Sequence, residues 1–303
     1  MNRLKKIGTV KKFASKDIAT SRIGIGFEKL DRGVFDPNKA YDKVAALGVK
    51  WARLQSGWAR TEKVKGVYDF AWLDEIVDNL IRRGLQPWMC LCYGNGLYSP
   101  KAKEVFGAVG IPPIFTEEER QGWHNYVAAV TRRYAGKIQW YEVWNEPDGR
   151  WCWKHGVSGT EYGEFVKQTA AAIKEGDPNA KVIGGSYCTG SLGWLAEVFA
   201  TGAGAVMDGL TYHAYNQDET NFARVRAIRA LAHSYNPKIA IIQGETGTQS
   251  RDDGAGALRG MAWTQETQAK YIARHMAADL HWVTLLLNLS FCDWQWPVLP
   301  EQT

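Results

Sequence analysis

The chain has 303 residues, of which 45% are hydrophobic and 23% charged, and carries a net charge of +5. That length fits one large α/β barrel or two smaller domains, and the composition is that of a soluble globular protein with a sizeable core. The charge is modest and dispersed: its densest basic run, Lys5, Lys6, Lys11 and Lys12, lacks any aromatic or glycine pattern and reads as a solvated tail, so no nucleic-acid partner is expected. A membrane span needs about 18 or more consecutive apolar residues, and no such run exists. Residues 1–20 are basic without an apolar stretch, which is not an intact signal peptide. The five cysteines show no metal-ligand spacing and read as free thiols, which favours a reducing, cytoplasmic location.

Taken in chain order, residues 1–22 form an N-terminal segment and residues 23–303 alternate strands with helices. Ile23 to Glu28 is a first strand. Asp36 as N-cap and Pro37 at the first helical position open a helix through Leu47, stopped by Gly48. Strand two is Val49 to Gln55, a helix runs from Asp69 to Arg83 and ends at Gly84, and strand three is Gln86 to Cys92. After a Gly- and Pro-rich loop, Thr116 and Glu119 have capping-box spacing for a helix reaching Tyr134. Strand four ends at Trp144. Helices at 160–175, 193–200, 221–235 and 265–282 then separate strands at 181–185, 209–213, 239–245 and 285–291.

Strict alternation implies parallel strands with right-handed crossovers, and eight such units match a (β/α)8 TIM barrel. An open doubly wound sheet is the alternative, but no G-x-G-x-x-G follows the first strand. The last helix of a full barrel is missing from the pattern, because 294–300 (Trp-Gln-Trp-Pro-Val-Leu-Pro) is a poor helix. Either the sequence is truncated there or something else covers the seam between strands eight and one.

Two acids stand at strand ends: Glu146 in Trp144-Asn145-Glu146-Pro147 after strand four, and Glu245 at the end of strand seven. A pair of carboxylates so placed suggests glycoside cleavage, one acting as acid and the other as nucleophile or base. The abundance of aromatic residues, 14 Trp and 13 Tyr, leans the same way, since a flat ring matches the apolar face of a sugar.

These residues carry a family resemblance. Trp51-Ala52-Arg53 on strand two, the Trp144 to Pro147 motif, Thr211 to Tyr215 on strand six, Gly244 to Gly247 on strand seven and Trp294 make the chain similar to glycoside hydrolase clan A, most like the family 39 β-xylosidase-like retaining enzymes. The resemblance covers about Ile23 to Trp296. It implies that Glu146 is the acid/base and Glu245 the nucleophile. It places Arg53 against the nucleophile, so that removing Arg53 is expected to cost activity while leaving the fold intact. Asn145 would bond the sugar 2-hydroxyl, Tyr215 would touch the nucleophile, His213 would lie near the acid/base, and Trp294, or else the neighbouring Trp296, would floor the −1 subsite. Trp151 and Trp153 would line the leaving-group side, and Glu28 and Tyr93, at the ends of strands one and three, would bind sugar hydroxyls. The expected partner is a glycoside or oligosaccharide, and this chemistry requires no metal or organic cofactor. The rival readings are a carbohydrate-binding barrel without catalysis and a metal-dependent hydrolase; the latter needs His or Asp at several strand ends, where only His213 qualifies.

Overall fold

The structure is a computed structural model that describes residues 8–9, 11–103, 109–215, 222–253, 257–282 and 285–290. Eight parallel strands, β1 (Ile23–Gly26), β2 (Trp51–Gln55), β3 (Gln86–Leu91), β4 (Trp140–Val143), β5 (Lys181–Tyr187), β6 (Gly209–His213), β7 (Ala240–Glu245) and β8 (Leu285–Ser290), close into a barrel in sequence order. The seam is made by β8 pairing with β1, with Ile23 opposite Leu286. Residues 291–303, where a last helix would stand, lie outside the described residues.

Among the described residues the named α-helices are α1 (Tyr41–Ala46), α2 (Trp58–Thr61), α3 (Ala71–Arg82), α4 (Glu117–Arg133), α5 (Gly159–Gly176), α6 (Leu192–Ala200), α7 (Phe222–Tyr235) and α8 (Gln265–Trp282). In α3 the buried residues Leu73, Ile76, Val77 and Leu80 recur at helical spacing and form the stripe facing the barrel. The capping box expected at Thr116 and Glu119 is present, and the Ser158 and Ser191 hydroxyls accept the Glu161 and Trp194 N–H groups at the starts of α5 and α6. Two local readings need correction. The helix expected from Asp36 to Leu47 is split: Asp36 does cap the Asn38 N–H, but Pro37–Lys39 is a 3-10 turn and α1 starts only after Ala40. The short α2 had no periodic signal, since one turn is too brief to show any. It follows Gly57, whose φ of +60 and closeness to Asp31 (2.5 Å from where a Cβ would stand) exclude other residues.

The barrel interior is layered. Strand alternation puts Trp51 and Arg53 on one face, as it does Trp88 and Cys90, and Trp140 and Glu142. Toward the N-terminal end of the strands, Trp88, Ile183 and Ile242 pack together with Trp51, Trp140 and Ala240. Gly209 makes room there, since a Cβ would stand 3.1 Å from Ile242 and 3.3 Å from Trp140. Above this apolar plug the inward positions turn polar, with Arg53, Glu142 and Thr211 all fully buried. Below the barrel the N-terminal segment is tied down: the Ser15 hydroxyl donates to the carbonyls of Val49 (2.6 Å) and Ala45 (3.2 Å). The cysteines described, 90, 92, 152 and 188, are free.

Candidate active site

The polar layer opens at the carboxyl ends of the strands, where barrel enzymes build their sites. Its hub is Arg53, a fully buried side chain on β2. Its Nε donates to Glu142 (2.6 Å), its Nη1 to Glu28 (2.8 Å) and Glu245 (3.2 Å), and its Nη2 to Asn145 (2.8 Å) and Ser186 (3.4 Å). Burial opposes the charged guanidinium, but Glu142 and Glu28, helped by Glu245, outweigh it and hold the Arg53 pKa well above its usual value. Glu28 answers in the opposite sense. Its burial outweighs the pull of Arg53 and, with the charge of Glu245, raises its pKa. Glu142 is completed by the Thr211 hydroxyl.

Glu146 and Glu245 face each other across this layer. One oxygen of each, together with a ring nitrogen of His213, lie within 4.8 Å of one another. Glu245 accepts from Arg53 and from the Tyr215 hydroxyl. Glu146 is paired with His213 Nδ1 (2.9 Å) and accepts from the Trp151 indole N–H. Burial disfavours the imidazolium of His213, yet the carboxylates of Glu245 and Glu146 prevail and its pKa is raised. Burial first, then the charges of Glu245 and Glu146, push the Tyr215 phenol well above its normal range, so it remains a donor. The same three groups, Glu146, His213 and Glu245, are those among the described residues whose donor atoms could share a metal ion.

Backbone irregularity places these side chains. The pairing of β6 with β7 shifts register between Tyr212 and His213, which brings His213 opposite Glu245. Trp144 (φ 65), Glu146 (φ 48) and Ser186 (φ 53) all adopt left-handed conformations that non-glycine residues avoid, and such strain persists only where surroundings impose it. The Glu146 N–H donates to the Ser186 carbonyl (3.0 Å), binding two of these turns to each other. Asp148 reinforces the join. Its carboxylate accepts from the backbone N–H of Cys188 (2.9 Å) and Thr189 (2.7 Å), from the Thr189 hydroxyl and from the Cys188 thiol. Asp148→Ala strands both N–H groups and is expected to cost about 2–4 kcal/mol of stability. An unchanged denaturation midpoint in that variant would show that the two loops hold together without Asp148.

Of the residues singled out in the sequence, Glu28, Arg53, Asn145, Glu146, His213, Tyr215, Glu245 and Trp151 form this one connected cluster. Arg53 takes the Asn145 amide oxygen, which leaves the Nδ2 end, 3.8 Å from the Cys152 sulfur, as the donor. Tyr93 stands at one side, its hydroxyl accepting from Gln55 and its ring edge-on to Trp144 under the Arg32 guanidinium. Trp153 corrects its expected place on the leaving-group side: it is fully buried against Trp144, Tyr162 and Phe165, with its indole N–H on Glu161. Trp294 lies outside the described residues. Sequence reasoning passed over Glu142, Ser186 and Asp148. Only Glu142 left a signal, as a charged residue in the middle of an otherwise apolar strand.

The family profile of glycosyl hydrolases family 39 matches residues 42–238. A curated relative, a beta-xylosidase of Geobacillus stearothermophilus, is 27% identical over 164 residues, which are 50% of this chain and 32% of the relative. Among solved structures, a family 39 glycoside hydrolase from Bacteroides cellulosilyticus superposes with a TM-score of 0.70 at 19% identity, covering 88% of this chain and 56% of that one. A family 39 beta-xylosidase from Caulobacter crescentus gives 0.68 at 21% identity, over 89% of this chain and 62% of that one. At such identities the structures attest the barrel fold alone. The chain spans about a third of the curated relative and less than two thirds of either solved relative. The profile takes in more than half of the chain, from α1 to the loop before β7, including Arg53 and the strand-four motif: this chain belongs to glycosyl hydrolases family 39.

Proposed function

We propose that the protein is a retaining β-glycosidase whose substrate is a β-xyloside or a closely related β-linked glycoside. The approach of Glu146 and Glu245, one oxygen of each within 4.8 Å of the other, carries this reading. Retaining enzymes hold their two carboxyls about 5–5.5 Å apart, whereas inverting ones leave about 6.5–9.5 Å for a water between them. The name of the Geobacillus relative supports the xyloside.

The neighbours sort the roles. Glu245 rests on a permanent cation and a phenol donor, which suits an anion that must attack carbon. Glu146, the more accessible of the two, is paired with His213, a group able to exchange a proton. In the first step a Glu245 oxygen forms a bond to the anomeric carbon as the glycosidic C–O bond breaks, and the proton of Glu146 goes to the leaving oxygen. Water then attacks the same carbon, gives a proton to Glu146 and releases Glu245 as carboxylate. The Asn145 Nδ2 group supplies a donor for the 2-hydroxyl, and Glu28 and Tyr93 flank the sugar.

Glu146→Ala is the direct test. Activated aryl glycosides need little protonation, so their first step survives, while substrates with poor leaving groups slow by about 10²–10⁴-fold. Equal losses on both kinds of substrate would remove Glu146 from the acid/base role.

A further inference from the structure

Arg53 meets more acid than one cation can neutralise. A guanidinium has five N–H groups, and here all are committed: Nε to Glu142, Nη1 to Glu28 and Glu245, Nη2 to Asn145 and Ser186. Three buried carboxyls thus share one positive charge, and two of them, Glu28 (2.8 Å) and Glu245 (3.2 Å), share one nitrogen. Like charges so close in a buried site resist ionising together, which favours one retained proton in the trio. The donors sort the three. Both oxygens of Glu142 accept, one from Arg53 Nε and the other from the Thr211 hydroxyl. Both oxygens of Glu245 accept, one from Arg53 Nη1 and the other from the Tyr215 hydroxyl, and His213 Nδ1 lies 3.7 Å from the oxygen that Arg53 holds. Glu28 has a donor at Oε1 alone. Its Oε2 meets no protein donor among the described residues and is not sealed into the core.

We propose that Glu28 is the un-ionised member of the trio, with its proton on Oε2, and that it is a positioning residue for Glu245, leaving the charge of Arg53 to the nucleophile. A neutral carboxyl still accepts the Nη1 hydrogen at Oε1, so the guanidinium stays seated. A second anion on Nη1 would instead make Glu245 harder to ionise. The charged and titratable groups around Glu28 are Arg53 from β2, Glu245 from β7, Tyr215 beyond β6, and Lys29 and Arg32 in its own loop. Arg32 is already paired with Asp31 (3.1 Å). Burial, with the charge of Glu245, outweighs Arg53 and Lys29 and favours the neutral form. The Oε2–H is then a donor at the mouth of the barrel, so the sugar atom it meets is an accepting oxygen. This inference rests on Glu245 as the nucleophile.

Infrared spectroscopy reads this proton without any substrate. Near neutral pH the wild type is expected to show the carbonyl stretch of an un-ionised carboxyl, shifted down in deuterated water and missing from Glu28→Gln; the bands of other buried carboxyls cancel in the difference. A difference spectrum without that band would overturn the inference. The pH profile supplies a second reading. The acid limb of kcat/KM reports ionisation of the nucleophile in the free enzyme, and in Glu28→Gln it is expected to keep its position, because a neutral amide replaces a neutral acid. A limb displaced to lower pH by about 1–3 pH units would mean that the substitution removed a negative charge beside Glu245, which also overturns the inference. The third reading is the order of two variants. Arg53 can only donate, so in Glu28→Gln the amide turns its oxygen to Nη1 and its NH2 group to the sugar. Glu28→Gln is therefore expected to retain about tenfold more kcat/KM than Glu28→Ala. A Glu28→Gln no better than Glu28→Ala would make Glu28 an accepting carboxylate and sink the proposal. A wild type that cleaves no β-glycoside would overturn the proposed function, and the infrared band would still decide where the proton lies.

Discussion

Glu245→Ala is expected to abolish turnover, by on the order of 10⁵-fold, because the proposed double displacement forms no covalent intermediate without that carboxylate. The loss should be nearly independent of the leaving group, unlike that of Glu146→Ala. Azide separates the two assignments by stereochemistry. In Glu245→Ala it would fill the space of the missing carboxylate and attack an activated β-glycoside directly, inverting the anomeric centre to give an α-glycosyl azide. In Glu146→Ala it would instead open the glycosyl-enzyme formed by Glu245, and the product would be the β-azide. Product anomer determined by NMR reads the outcome. The two anomers exchanged would exchange the roles of the two glutamates, and inverted product from the wild-type enzyme would replace the double displacement by a single one. The contacts of Tyr215 and Arg53 with Glu245 are the reason to expect the α-azide, since they leave an anion-sized cavity next to a cation in the alanine variant.

The barrel and both acids were legible in the sequence for a simple reason. Parallel strands buried on both faces and amphipathic helices leave strong local periodicity, and the site of such a barrel stands where strands end. The ion network was not legible, because it depends on closure. Arg53 on β2 meets Glu142 on β4 only when the strands wrap around one interior; a charge inside an apolar strand marks Glu142 as unusual, but nothing local names its partner. Trp151 and Trp153 show the limit most plainly. They are two residues apart in a segment without regular structure, so no period assigns their faces; one is a core residue and the other stands half in solvent. The displacement of His213 toward Glu245 likewise comes from a register shift that only strand pairing reveals.

Arg53 carries the second large effect, and burial changes what its removal should do. A surface arginine could be deleted with the fold intact, but this one is fully buried and is the shared ion-pair partner of Glu28, Glu142 and Glu245. Arg53→Met leaves those carboxyls in a low-dielectric interior without their cation, a change that costs about 3–5 kcal/mol and lowers Tm by about 5–15 °C. Activity should fall below about 1% even well below that melting temperature, since Glu245 loses its charged partner and the Asn145 amide its fixed orientation. Stability and activity can be separated by a second substitution. Arg53→Met combined with Glu142→Gln removes one stranded charge, so it should recover part of the lost Tm while restoring none of the turnover. A double variant that melts as low as the single one would trace the instability to packing around the guanidinium stem, and a single variant active within a few-fold of wild type would remove Arg53 from the catalytic apparatus altogether.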